Sequence, residues 1–397
     1  VVRPPLRLGP LTAVLALACG LSVANIYYAQ PVLAALAHTF GVSEGSVTVV
    51  VTLSQIGYAI GLIFVLPLGD LVQVRRLTPL MLVVAAAALA AAGAAPSVAV
   101  FMIAYLVVGT FSTVAQILVP FAAHLAPEES RGELVGRVMS GLLLGILLAR
   151  TVSSEVAAVF GWRAIFYISA GLMLALSLVL WRWLPAREPD HHAGYGSLMA
   201  SVGHYAATLG PLRRRAACQA LVFMAFSAYW STIAFVLIAR HGFSQAGIGL
   251  FALVGATGAT IAPFAGKLGD RGYGRWASGG ALAAATVSMI IAGLGQSSVI
   301  LLGLGGVLLD VGVQGHQILS QQEIYALAPE ARARINTVYM GSVFVGGAIG
   351  SAVAGALHAS SGFGGTMVFA AATCGLAFVI WAVHTWIAVR RPVPVPV

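Results

Sequence analysis

Arg150, Glu155 and Asp310 stand inside long apolar stretches, where an ionisable side chain is costly. A charge near a bilayer centre costs roughly 2.5–3.5 kcal/mol on insertion scales, so each of the three is a candidate for moving or balancing charge. Asp310 falls near the middle of its stretch. At about 100° per residue, Gln314, Gln317 and Gln321 lie within about 40° of it, a polar stripe about 16 Å long on one helix face. Such a stripe must face other helices or a water-filled cavity. A carboxyl there can take up and release a proton, and amides can hold varied ligands. Arg150 carries a permanent charge. It can neutralise Asp310 or receive an anionic group of a substrate. In the expected resting state Arg150 holds Asp310 ionised, directly or through water, and protonation frees Arg150 for a substrate acceptor. Glu155 is turned about 140° from Arg150, which makes a direct pair awkward and leaves it as a second proton site.

Further polar and aromatic side chains lie where a cavity could use them: Asn25, Tyr28, Gln30, Gln55, Tyr58, Gln116, Tyr229, Trp230, Asn336 and Tyr339. Amides and phenols bind by hydrogen bond, and aromatic faces offer apolar and cation–π contact. Taken singly, each reads first as a helix-packing or interfacial anchoring residue and second as a ligand contact. His316, about 120° off the Asp310 stripe, reads as a packing residue.

The elements that must position these residues follow from composition. Of 397 residues, 59% are hydrophobic and only 8% charged, too few charges for a soluble chain. Twelve apolar runs of membrane-spanning length can be marked: 11–36, 46–68, 77–95, 98–122, 134–159, 164–184, 214–239, 246–266, 276–295, 298–321, 335–357 and 364–388. They are too long and unalternating for membrane strands. The first run ends in small residues but is too long for the core of a signal peptide. The missing initiator Met suggests a trimmed start. Cys19, Cys218 and Cys374 show no CxxC spacing and read as small packing residues, so no disulfide or metal site is expected. The expectation is an all-α membrane protein of twelve transmembrane helices, with no cofactor.

Charge placement sets its orientation. With both termini cytoplasmic, eighteen Lys and Arg fall on inner segments and two, Arg163 and Arg240, outside. Inner loops attract positive charge, so the formal net charge of +9 is a topology signal and no nucleic-acid partner is expected. The tract Arg213–Arg215 reads as a helix flank. The longest interruption, 185–213, reads as a cytoplasmic linker between an N-terminal bundle, 1–184, and a C-terminal bundle, 214–397. His191 and His192 within it are adjacent and read as solvated loop.

The two bundles repeat. Leu68, Gly69, Asp70 and Arg75 recur 200 positions later as Leu268, Gly269, Asp270 and Arg275, and "LAPE" at 125–128 recurs at 327–330. Internal repeats in a membrane chain mark secondary transporters, whose halves rock about a central site. Here the chain resembles the major facilitator superfamily over essentially its whole length. Gly266, Leu268, Asp270, Arg271, Gly274 and Arg275 match the family's G-x-L-x-D-R-x-x-G-R loop motif, while the first copy has Leu66, Leu71 and Val74 at three of its positions. "ANIYYAQPVL" at 24–33 and "FGWRAIF" at 160–166 are similar to the drug:proton antiporter branch. That branch has Gly-Pro and Gly-Gly in its fifth helix, where this chain has Ala149-Arg150 and Ser153-Ser154.

The resemblance implies two pseudo-symmetric six-helix bundles, a small-molecule substrate, coupling to protons, export, and function as a monomer in the cell membrane. It also implies a cytoplasmic gate in which Asp70 with Arg75, and Asp270 with Arg271 and Arg275, latch helix ends. Exposed pairs of this kind contribute about 0–1 kcal/mol each, enough to bias two near-equal states. A transporter of an organic anion held by Arg150 is the rival reading, and a membrane-embedded enzyme or receptor the rival class. No HExxH or Walker motif is present.

Overall fold

The computed structural model describes residues 8–125, 131–186, 194–255, 261–328 and 331–390. His191 and His192, three residues of the first LAPE segment and two of the second lie outside the described residues. Among the described residues all regular structure is helical. In a bilayer each span must satisfy its own backbone, which an α-helix does.

The first bundle comprises α1 (Leu8–Ala24, resuming as Leu33–Phe40), α2 (Glu44–Asp70), α3 (Val74–Gly93), α4 (Val98–Leu125), α5 (Arg131–Phe160) and α6 (Trp162–Trp183). The second comprises α7 (Gly210–His241), α8 (Gln245–Ala252, resuming as Ala262–Leu268), α9 (Gly274–Leu294), α10 (Val299–Leu327), and α11 and α12, the arms of the helical run Arg332–Arg390 on either side of Gly362. Gly362 has φ 66°, and Thr366 Oγ1 donates to the Ala354 carbonyl, so the chain doubles back there. Nine helices among the described residues are long and apolar enough to cross a membrane. One of them is this doubled-back pair, and the two shorter apolar helices in α1 and α8 complete twelve passages.

The repeat runs deeper than the loop motifs. Gly41 and Gly242 both end helices in the left-handed region, at φ 63°. Ser43 and Ser244 then cap the following helices, each accepting from the amide three residues on at 3.2 Å. Ser97 and Ser298 do the same before α4 and α10. Gly161, φ 81°, turns α5 into α6 as Gly362 turns α11 into α12. All these connections lie at one end of the molecule, opposite the loop motifs. A hydroxyl cap satisfies one orphan amide at a helix start, and a left-handed glycine closes a helix end without strain.

Two expectations change in detail. The 185–213 connection is not all loop: Tyr195–Thr208 is helical and α7 begins at Gly210. Its Tyr195 hydroxyl donates to the Phe64 carbonyl of the first bundle at 2.9 Å, and its Ser201 accepts from Arg334 of the second at 3.5 Å. The run 11–36 is not one helix. Between Ala24 and Leu33 the chain leaves α-helical hydrogen bonding, and neighbouring helices repair the break. The Tyr105 hydroxyl of α4 donates to the Asn25 carbonyl at 2.6 Å and accepts from the Ala29 amide at 3.0 Å. Ser153 of α5 donates to the Tyr28 carbonyl, and Gln245 of α8 to the Pro31 carbonyl. An irregular segment persists at membrane depth only when protein satisfies it in this way.

Candidate functional site

A cavity of about 890 Å³ lies between the bundles and reaches the end that carries the loop motifs. Its deep wall is aromatic and aliphatic, with Tyr27, Tyr58, Phe223, Phe226 and Phe344. Amides interrupt it: Gln116 from α4, Gln314, Gln317 and Gln321 from α10, and Asn336 from α11. Gln116 donates to the Tyr58 hydroxyl at 3.4 Å and accepts from Asn336 at 3.3 Å, and Tyr325 donates to Asn336 at 2.8 Å. This chain of four side chains crosses from one bundle to the other. A mostly apolar wall with a few uncharged polar groups suits a small organic ligand.

At the far end the bundles meet directly. Ser154 and Thr151 of α5 donate to the Gln245 and Gly249 carbonyls of α8 at 2.5 and 2.9 Å. Thr52 meets Ser351 at 2.9 Å, Gln55 donates to Ser227 at 3.3 Å, and His358 stands 3.2 Å from Glu44. The cavity is therefore open at the motif end and closed at the other.

Behind its closed end sits the central charge cluster. Arg150 donates from Nε to Gln30 Oε1 at 2.7 Å. Its guanidinium stacks 4.5 Å from the Trp230 ring centre, 4.7 Å from Tyr27 and 5.4 Å from Phe226. Desolvated cation–π contacts contribute about 2 kcal/mol or more, which offsets part of the cost of burying the charge. The Trp230 indole Nε1–H points the other way and donates to Asp310 Oδ1 at 3.3 Å. Arg150 and Asp310 thus share one indole, its face on the cation and its N–H on the carboxylate. Gly255 lets α8 pass over this carboxylate, since a Cβ there would meet Asp310 Oδ2 at 2.7 Å. Among the described residues Asp310 is the one fully buried acidic side chain. Arg150 Nη2 and Gln30 Nε2 are buried donors without a hydrogen-bond partner.

The remaining candidates divide by location. Gln55 and Tyr58 lie at the seam between bundles, Tyr58 in the cavity wall. Asn25 faces α4 and α6, donating to Ser112 and Met173 and accepting from Ser169, so it belongs to first-bundle packing. Tyr28 and Tyr339 are buried outside the cavity wall, and the Tyr229 hydroxyl donates to the Leu302 carbonyl. Glu155 packs by Gly249 on the closed side, away from Asp310. Cys19, Cys218 and Cys374 are buried between helices.

Of the gate residues, Asp70 lies at the cavity rim, while Arg75 donates to the Trp181 carbonyl of α6 at 2.9 Å. Asp270 accepts from Gln322 of α10 at 3.3 Å. Arg271 is exposed at the turn made by Gly272, φ 83°. Arg275 points toward α12 and accepts the Trp381 indole N–H on its own carbonyl.

Sequence reading missed Tyr27 and Phe226, which complete the box around Arg150. Their signal was aromatic residues within a few positions of Gln30 and Trp230. It also read Arg214 and Arg215 as a flank. They converge on Glu323, and the Arg215 side chain is only 9% exposed.

The profile of the Major Facilitator Superfamily matches residues 15–322 and 215–396. The chain is 39% identical over 381 residues to the uncharacterized transporter YgaY of Escherichia coli O157:H7, covering 96% of this chain and 97% of that one. In fold it is similar to a bacterial homolog of the human lysosomal transporter Spinster in an inward-facing, occupied conformation. That likeness has a TM-score of 0.76 at 17% identity, covering 99% and 100% of the two chains. It is also similar to the human organic anion transporter MFSD10 (TETRAN), with a TM-score of 0.70 at 18% identity, covering 96% and 100%. A profile match across both halves, a relative of this identity along the whole chain, and two bundles around a cavity agree that this multi-pass membrane protein belongs to the major facilitator superfamily of transporters.

Proposed function

We propose that this chain is a proton-coupled secondary transporter that exports small organic, drug-like compounds from the cytoplasm across the cell membrane by alternating access. In a Gram-negative bacterium that membrane is the inner one. The units that move are 1–184 and 214–397, both termini are cytoplasmic, and one chain suffices. The observation that carries this reading is the Arg150–Trp230–Asp310 cluster. It is built by both bundles, buried where they meet, and separated from the cavity by Tyr27 and Phe226. A proton on Asp310 removes the charge that balances Arg150, so protonation and the fit between bundles are linked. The charge asymmetry supports a cytoplasmic motif end. Cysteines placed at 95–97 and 191–193 of a Cys-free chain label from outside and inside respectively if the orientation holds. Flux in proteoliposomes, with and without a pH gradient, tests the coupling. Gradient-driven flux at full rate in Asp310→Asn would end the proton assignment.

The unpartnered donors of Arg150 and Gln30 favour a second reading, a substrate that brings its own carboxylate or similar acceptor. The two readings differ in sign. A proton that frees Arg150 for an anion makes anion binding tighter as pH falls. A proton that competes with a neutral or cationic substrate makes binding weaker. Ligand affinity measured against pH separates them.

A further inference from the structure

α10 carries ionisable groups on a second face, turned away from the transport cavity. There Arg214 and Arg215 of α7, Arg275 of α9, Glu323 of α10 and His384 of α12 surround a separate pocket of about 190 Å³ that shares no wall residue with the large cavity. Glu323 accepts from Arg214 at 3.0 Å and from Arg215 at a shorter distance. Arg215 also donates to Ser278 Oγ at 2.6 Å, and Arg214 Nη1 abuts the His384 ring. Three guanidiniums thus face one carboxylate. Arg215 is 7% exposed, and its Nε is a buried donor without a partner. An under-compensated buried cation is expensive, and a guanidinium cluster matches the oxygens of a phosphate.

We propose that this pocket binds a phosphate-bearing anion, supplied by the headgroup of an anionic phospholipid. The pocket lies at the motif end, where α9 and α12 leave the bilayer. Trp276 and Trp386 beside it are 62% and 56% exposed, as expected for rings at the headgroup level. Basic pockets between helices on the positively charged side of a membrane protein suit such headgroups. The site makes no claim on the cargo, so it stands apart from the transport reading above.

The test uses the full chain in phosphatidylcholine nanodiscs, with phosphatidylglycerol added or, separately, with inorganic phosphate in solution. Phosphatidylglycerol should raise the unfolding temperature by several degrees, and native mass spectrometry should show a retained lipid. Arg214→Gln should lose most of that gain, measured against its own unfolding temperature in phosphatidylcholine. Arg275→Gln, at the exposed rim, gives the same reading if Arg214→Gln folds poorly. Arg76→Gln, an exposed arginine at the same end, should keep the gain. Equal gains in all variants would mean diffuse surface attraction and overturn the site. A gain from inorganic phosphate alone, lost in Arg214→Gln, would overturn the lipid assignment and leave a soluble-phosphate site.

Discussion

The two faces of α10 bury charge for different ends. Its cavity face carries Gln314, Gln317 and Gln321, with Asp310 where the stripe passes behind the cavity; its partners come from both bundles, Arg150 from the first and Trp230 from the second. Its other face carries His316, Ser320 and Glu323, whose partners Gln219, Arg214 and Arg215 all belong to the second bundle. A cluster shared between moving bodies can respond to their motion. One held within a single body travels with it. The difference implies that damage to the first face is read in transport, and damage to the second in stability.

The largest expected effect tests the shared face. Asp310→Asn and Arg150→Gln should each lower gradient-driven flux about a hundredfold, corresponding to about 2.7 kcal/mol. Together they should be non-additive, with a coupling of about 1–3 kcal/mol and better recovery of thermal stability than of flux. Additive losses in both readouts would mean the indole does not connect the two charges. Glu323→Gln reverses the pattern. Chemical denaturation should show a loss of about 2 kcal/mol, the scale of hydrogen bonds to charged groups, with flux per folded molecule retained. A larger loss of flux than of stability would erase the distinction between faces. His316→Leu strands Gln219 Oε1, which lies 2.6 Å from the ring, and should cost about 1 kcal/mol in the same assay. Least of all, Gln317→Ala should change flux about two- to threefold in a substrate-dependent way, without moving the unfolding midpoint. A uniform effect on every substrate would make Gln317 a structural residue.

Much of this was readable from the chain. The spans, the repeat and the Asp310 stripe all follow from hydropathy and helical spacing. Arg150 and Trp230 were also singled out, but the indole between Arg150 and Asp310 joins residues 80 and more apart in the chain, which spacing cannot pair. The break in α1 misled for a physical reason. Asn25 and Tyr28 are polar at membrane depth, and a broken helix needs such groups as much as a ligand does. Tyr105, the residue that repairs the break, sits in an ordinary apolar run. The Gly-x-Ser recurrence at 41–43 and 242–244 was visible but short enough to pass as chance. The two loops also differ in backbone. The first leaves α2 through a 3-10 turn, Leu66–Asp70, without a left-handed residue, so Val72 suffices where the second copy has Gly272 at φ 83°.

The closed seam has one further consequence. Several of its bonds end on main-chain carbonyls, those of Gln245, Gly249 and Pro31. Each is worth about 0.5–1.5 kcal/mol net, and water can replace the lost donor as the seam parts. In the proposed alternating-access cycle, a few hydroxyl and amide donors that touch no cargo would then set the interval a molecule waits before reversing its exposure. Trading Thr151 or Ser154 for alanine should then shorten that wait and change throughput, which flux measurement would read. The chemistry that chooses the passenger stays as it was, so pace and choice can drift independently as sequences diverge.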